Sequence, residues 1–219
     1  GISTNLLTGD RNIAIGTNAG FILQGAAAEN VLIGAYAGDA IATGSGNVMI
    51  GDTAGSDADS NVHGSVFIGH NACGSGDCND NNTIIGNNAG FETTGGQNVI
   101  LGANAGLEAT SIDDSVLIGY NAGASTSSSP MTGHDNVIIG SNAGGTTNAI
   151  CMGDSVTAAG DNIFTFGKDS TSSSITFGGG SIDVPSDERY KENIQTATAG
   201  LSFINDLRPV TFQWKKEKD

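Results

Sequence analysis

The sequence predicts an all-β protein: a parallel β-solenoid, or β-roll, of about ten coils, closed by a short α+β segment at the carboxyl end. Three observations predict it. A short apolar run bounded by Asn and Gly recurs along the chain at near-constant spacing. Large side chains are too few for a thick core. The charge character changes abruptly near residue 186.

The repeat runs Asn12-Ile-Ala-Ile-Gly16-Thr-Asn-Ala-Gly20, then Asn30-Val-Leu-Ile-Gly34-Ala-Tyr-Ala-Gly38. Copies follow at Asn47–Gly51, Ser65–Gly69, Asn82–Gly86, Asn98–Gly102, Ser115–Gly119 and Asn136–Gly140, and two decayed ones end at Gly153 and Gly167. The shared glycines are spaced 18, 17, 18, 17, 16, 17, 21, 13 and 14 residues apart. A β-branched-rich run between Asn and Gly reads as a strand. A period of about 17 residues is too short for a helix pair, but it fits one solenoid coil of strand, tight turn and return segment. The Asn at each strand start is expected to stack into a ladder bonding the coils above and below. The Gly turns the chain where a Cβ would clash.

Each strand is apolar throughout, with no polar alternation, so it asks for burial on both sides. One side is met by the coil interior. The sequence expectation places Leu32, Met49, Phe67, Ile84, Ile100, Leu117 and Ile138 outward, as an apolar stripe that a soluble monomer rarely tolerates. Association of several copies, intertwined or side by side, is expected to cover it. Between the repeats lie variable segments that map to one edge of the solenoid. The longest carries Ser125-Thr-Ser-Ser-Ser-Pro-Met-Thr-Gly-His134, the best candidate for a presented loop.

Composition limits the function classes. The net charge is -15, and no Lys or Arg occurs between Arg11 and Lys168. A body without cations cannot neutralise phosphates, so neither nucleic-acid binding nor adsorption to anionic membranes is expected. No apolar run is long enough for a transmembrane helix, so no membrane insertion is expected, and the first residues lack the basic region of a signal peptide. Cys73 and Cys78 are close enough in sequence for a loop disulfide, although three cysteines make a poor disulfide framework. Asp57-Ala-Asp59-Ser-Asn61 has the first ligands of a calcium loop but not its Gly or final Glu, which excludes an EF-hand. A looser Ca²⁺ site at Asp57 and Asp59, or at Asp77 and Asp80, is the one cofactor expectation, against the plainer reading of solvated loop carboxylates. His63, His70 and His134 are scattered and define no site.

After Gly180 the bases return: from Ser186 onward acids and bases balance six to six. Ala199–Arg208 reads as a short amphipathic helix with Leu201, Ile204 and Leu207 on one face, stopped by Pro209. Val210–Trp214 alternates as a strand. The expected division is a fibre domain over 1–185 and a second module over 186–219.

Two resemblances follow. Ser186-Asp-x-Arg-x-Lys-x-Asn-Ile194 with Leu207-x-Pro-Val-x-Phe-x-Trp214 resembles the start of the endosialidase-type intramolecular chaperone domain that ends many phage tail spikes and fibres. That resemblance implies a homotrimer and a module that cuts itself from the finished fibre between Pro185 and Ser186, with Ser186 as nucleophile and Lys191 as its general base. The repeat Asn-Val-x-Ile-Gly-x-Asn-Ala-Gly is similar to the head repeats of trimeric autotransporter adhesins, which form a trimeric β-roll. The resulting expectation is a virion tail-fibre protein, extracellular, attaching to a host cell-surface carbohydrate or protein receptor, and no enzyme beyond that single cut. A bacterial surface adhesin or filament subunit is the alternative, and a polysaccharide depolymerase a further one.

Overall fold

A computed structural model describes residues 9–58, 60–124 and 131–178. The chain divides into two compact units, Gly1–Pro185 and Ser186–Asp219, and the described residues all lie in the first.

Three-residue strands carry the ladder: β1 (Ile13–Ile15), β2 (Val31–Ile33), β3 (Val48–Ile50), β4 (Val66–Ile68), β5 (Thr83–Ile85) and β6 (Val99–Leu101). Two-residue strand β7 (Ile112–Asp113) precedes β8 (Val116–Ile118), and β9 (Gly133–His134) precedes β10 (Val137–Ile139). Longer strands β11 (Ile150–Asp154), β12 (Ile163–Lys168) and β13 (Ser173–Thr176) end the described body. The main sheet is eleven-stranded, in the order β1-β2-β3-β4-β5-β6-β8-β10-β11-β12-β13. Its first ten strands are all parallel to their neighbours, and only β13 returns antiparallel on β12. Each parallel pairing between successive repeats needs a full return of the chain, so the body is a parallel β-solenoid. Where the repeat lengthens, β7 and β9 form a second, two-stranded parallel sheet.

The register aligns equivalent residues in every coil: Leu32 with Met49, Met49 with Phe67, Phe67 with Ile84, Ile84 with Ile100. Alternation along a strand then sets which side each position faces. The ladder residues Asn30, Asn47, Ser65, Asn82 and Asn98 are fully buried, and so are the middle residues two positions on. Leu32, Met49, Phe67, Ile84, Ile100, Leu117 and Ile138 therefore point into the coil's own interior, each 0% exposed in the single chain. This overturns their expected place on an outer stripe between copies. The physical reason is phase: a buried Asn fixes residue i inward, so i+2 is inward, while i+1 and i+3 face out.

The predicted Asn ladder is present. Asn30 Oδ1 accepts from the backbone N–H of Asn47 at 3.1 Å and from its Nδ2 at 3.0 Å, while Asn30 Nδ2 donates to the Gly44 carbonyl at 3.0 Å. Asn47 Oδ1 accepts from Ser65 N, Ser65 Oγ from Asn82 N, and Asn82 Oδ1 from Asn98 N, at 2.9–3.1 Å. Asn98 Oδ1 takes Ser115 N, Ser115 Oγ takes Asn136 N, and Asn136 Oδ1 takes Ala149 N. A buried polar group is costly unless bonded, and here one amide or hydroxyl oxygen per coil accepts from the backbone of the next, although the Asn136 Nδ2 is buried without a partner among the described residues. The facing wall is made of the repeat's small residue: Ala37, Ala54, Ala72, Ala89, Ala105, Ala122 and Ala143 are all buried against the strands. The core is one large side chain and one Ala thick, widened at the corners by Ile41, Val62, Ile112 and Val156.

Candidate functional site

The residues expected to cut the chain, Ser186 and Lys191, and the predicted helix and strand after them lie outside the described residues. So does Asp59 of the expected Ca²⁺ pair; Asp57 is exposed at the loop edge near Asp77. Among the described residues no group of three or more His, Cys, Asp or Glu could hold a metal ion.

The structure instead brings together a surface the sequence reading had out of phase. The first and third residues of each ladder strand face outward and form two columns along the sheet. One runs through Val31, Val48, Val66, Thr83, Val99, Val116 and Val137. The other runs through Ile33, Ile50, Ile68, Ile85, Leu101, Ile118 and Ile139. Nearly all are only partly buried by their own neighbours, and Ile85 is 37% exposed. The columns start at Ile13 and Ile15, 49% and 59% exposed, and end on Ile150, Met152 and the outward pair Phe164 and Phe166, whose rings lie 5.0 Å apart. With coils about 4.8 Å apart, nine steps make an apolar strip roughly 43 Å long. That is far larger than the scattered apolar side chains of an ordinary surface. The signal that finds it in the sequence is the ladder Asn, read as an inward residue.

The variable segments occupy the corners between strand and return segment. Cys73 stands where most repeats have the Gly of Asn-Ala-Gly, and it is bonded to Cys78, both buried. The disulfide closes the turn that presents Ser75 and Asp77. In the longest insertion, residues 125–130 are outside the described set, but Met131 is 7% exposed and packs into the core. Within the expected presented loop Met131 is thus a core residue, while Thr132 and His134 are exposed. His134, in β9, bonds Asp135 at 2.7 Å, and this contact, with Asp113 and Asp114 nearby, raises its pKa above the usual imidazole value.

Cys151 points inward from β11 and is buried, and burial pushes its thiol up to about 11. At pH 8 the thiolate fraction is then about 100-fold below that of an exposed thiol. Ellman's reagent is expected to find no reactive thiol in the native protein and one per chain after unfolding without reductant. Three thiols in the unfolded, unreduced chain would contradict the Cys73–Cys78 bond.

The described body defines a protein class by fold, a parallel β-solenoid with an apolar outer sheet. Residues 186–219 match the family described as the chaperone of endosialidase, supporting the resemblance carried by Ser186–Ile194 and Leu207–Trp214. No curated protein and no solved structure matches the chain.

Proposed function

We propose that this chain is part of a phage-like tail fibre: a homotrimeric solenoid that attaches a particle to a host surface, joined to a chaperone segment that removes itself after assembly. The observation that carries this reading is the junction itself. In the sequence, a repeat solenoid whose outer sheet face is apolar and only partly buried among the described residues is followed by a segment matching the chaperone of endosialidase. Such a sheet needs a partner, and a second and third copy of the same chain supply an identical strip. The number three comes from the two resemblances.

The cut and the roles of its residues are what the resemblance to the chaperone of endosialidase implies. Lys191, in its neutral form, takes the Ser186 Oγ proton as the oxygen attacks the Pro185 carbonyl carbon. The bond to the Ser186 nitrogen breaks and that nitrogen receives the proton. Water then hydrolyses the ester, leaving a Pro185 carboxylate and a free Ser186 amine and hydroxyl.

The test is native mass followed by chain mass, on the protein expressed as its complete natural chain. The expected result is a trimer whose chains end at Pro185, with Ser186→Ala assembled but uncut. Trimeric chains that stay whole in the unmodified protein would leave a permanent cap and overturn the cutting reading. A monomer would overturn the fibre.

A further inference from the structure

On one corner of the solenoid, four successive coils leave an open groove of about 510 Å³ lined by Asn61, Asn79, Asp80, Asn81, Gln97 and Asp113. We propose that this groove binds a neutral, polyhydroxylated glycan, and that it is the receptor-contacting surface of the fibre; the second half of that statement rests on the attachment reading above.

Several observations converge on this ligand class. The volume is in the range of small-ligand sites. Gly96 lies so close to the neighbouring coil that an added Cβ would come 3.0 Å from the Asp80 carbonyl oxygen. The two carboxylates are fixed by backbone: Asp80 Oδ1 accepts from His63 N at 2.7 Å and Asp113 Oδ1 from Gly96 N at 2.8 Å. Each carboxylate keeps a second oxygen for accepting hydroxyl protons. Asn61 Oδ1 accepts from Thr43 Oγ1 at 2.8 Å, and Asn79 Nδ2 donates to the Thr94 carbonyl at 3.0 Å. Asn81 and Gln97, by contrast, are exposed and their side-chain amides have no protein partner among the described residues, so they are open to solvent or ligand. An amide offers donor and acceptor together, which is what a sugar hydroxyl pair requires. Both residues hold left-handed backbone, φ 61° in each, at equivalent positions just before their ladder Asn. They therefore repeat one coil apart, about 4.8 Å, a step comparable with one sugar ring of an extended chain.

Charge selects among glycans. No Lys or Arg occurs in these coils, since none lies between Arg11 and Lys168. His63 Nδ1 is engaged by Ser45 N at 3.0 Å. Sialylated, sulfated or phosphorylated chains would meet Asp80 and Asp113 without a compensating cation. With no aromatic side chain lining the groove, each site is expected to be weak, and affinity grows by multivalency in an assembled fibre.

The test uses the assembled full-length protein on an immobilised panel of gluco-, galacto-, manno- and N-acetylglucosamine tetraoses beside sialylated and sulfated chains and octalysine. The variant is Asn81→Gly with Gln97→Gly, because Gly deletes the side chain and accepts positive φ without strain. The expected result is binding to at least one neutral tetraose, reduced at least 10-fold in the double variant at unchanged thermal stability and native mass. Four outcomes would overturn the groove: no neutral glycan bound, preference for the anionic chains, octalysine bound more tightly than any glycan, or glycan binding untouched by the double variant. Native mass is read separately, so a trimer that fails this test leaves the fibre standing, and a monomer sinks the fibre whatever the glycans do.

Discussion

Ile138→Asp is expected to abolish the folded solenoid, whereas Ile139→Asp, one residue further on, is expected to leave it folded and unable to assemble. Ile138 is fully buried, held in register between Leu117 and Cys151, with the Gly145 backbone packed so closely that an added Cβ would lie 2.7 Å from its Cδ1. Truncating such a side chain costs about 2–5 kcal/mol, and an unpaired carboxylate in its place adds several more. That total matches the whole stability of an ordinary domain. Ile139 faces outward between Ile118 and Met152 and is only partly buried. There an Asp is solvated in the single chain, at a cost of roughly 1 kcal/mol or less. Between chains the same carboxylate would be buried without a partner, so the cost appears at assembly. Circular dichroism and native mass read the two effects apart. If both variants stay trimeric, the apolar columns are not the interface. If both unfold, the outer face is not free in the single chain.

The contrast between these neighbours marks what the sequence could and could not convey. Period, strand positions and ladder were legible because each rests on a residue type with one structural use. Asn (Ser at 65 and 115) before the run, β-branched residues within it, and Gly after it recur in each coil from Asn12 to Gly140. The inward and outward sides were not separable by hydropathy, since Val31, Leu32 and Ile33 are equally apolar. Only the ladder Asn breaks the tie, because a side-chain amide serving the neighbouring backbone must sit on the buried side. The Cys73–Cys78 bond was left open by cysteine arithmetic, and the fold decides it by bringing two inward positions together at one corner. The polar groove was invisible for a different reason. Its lining comes from the variable segments of four coils, which have no common motif and meet only once the solenoid is wound. The terminal motif was legible from residue identity alone, and its match to the chaperone of endosialidase comes from the same 34 residues.

Gly69→Ala is the second change expected to unfold the body, and it tests the rule that holds the coils at their spacing. Gly69 directly follows β4 with φ 136°, and its N–H donates to the Ile50 carbonyl at 2.8 Å. A Cβ added there would lie 2.3 Å from the Gly86 carbonyl oxygen and 2.7 Å from its carbon. Neither can yield, since both are backbone atoms of the next coil. The same contact recurs at Gly34, Gly51 and Gly86, so every coil approaches its successor through a position that admits no side chain. In a solenoid each coil is held only by its neighbours, so parting two coils at a corner divides the stack. The expected loss is at least about 3 kcal/mol, combining backbone strain with broken ladder bonds. Gly46→Ala is the control. It also has positive φ, 73°, but its nearest atom would be 3.9 Å away. There only the left-handed cost of about 1–2 kcal/mol applies. Denaturant unfolding of both variants decides the matter: equal losses would mean that backbone conformation alone, and not the close approach of coils, selects Gly at the end of each strand.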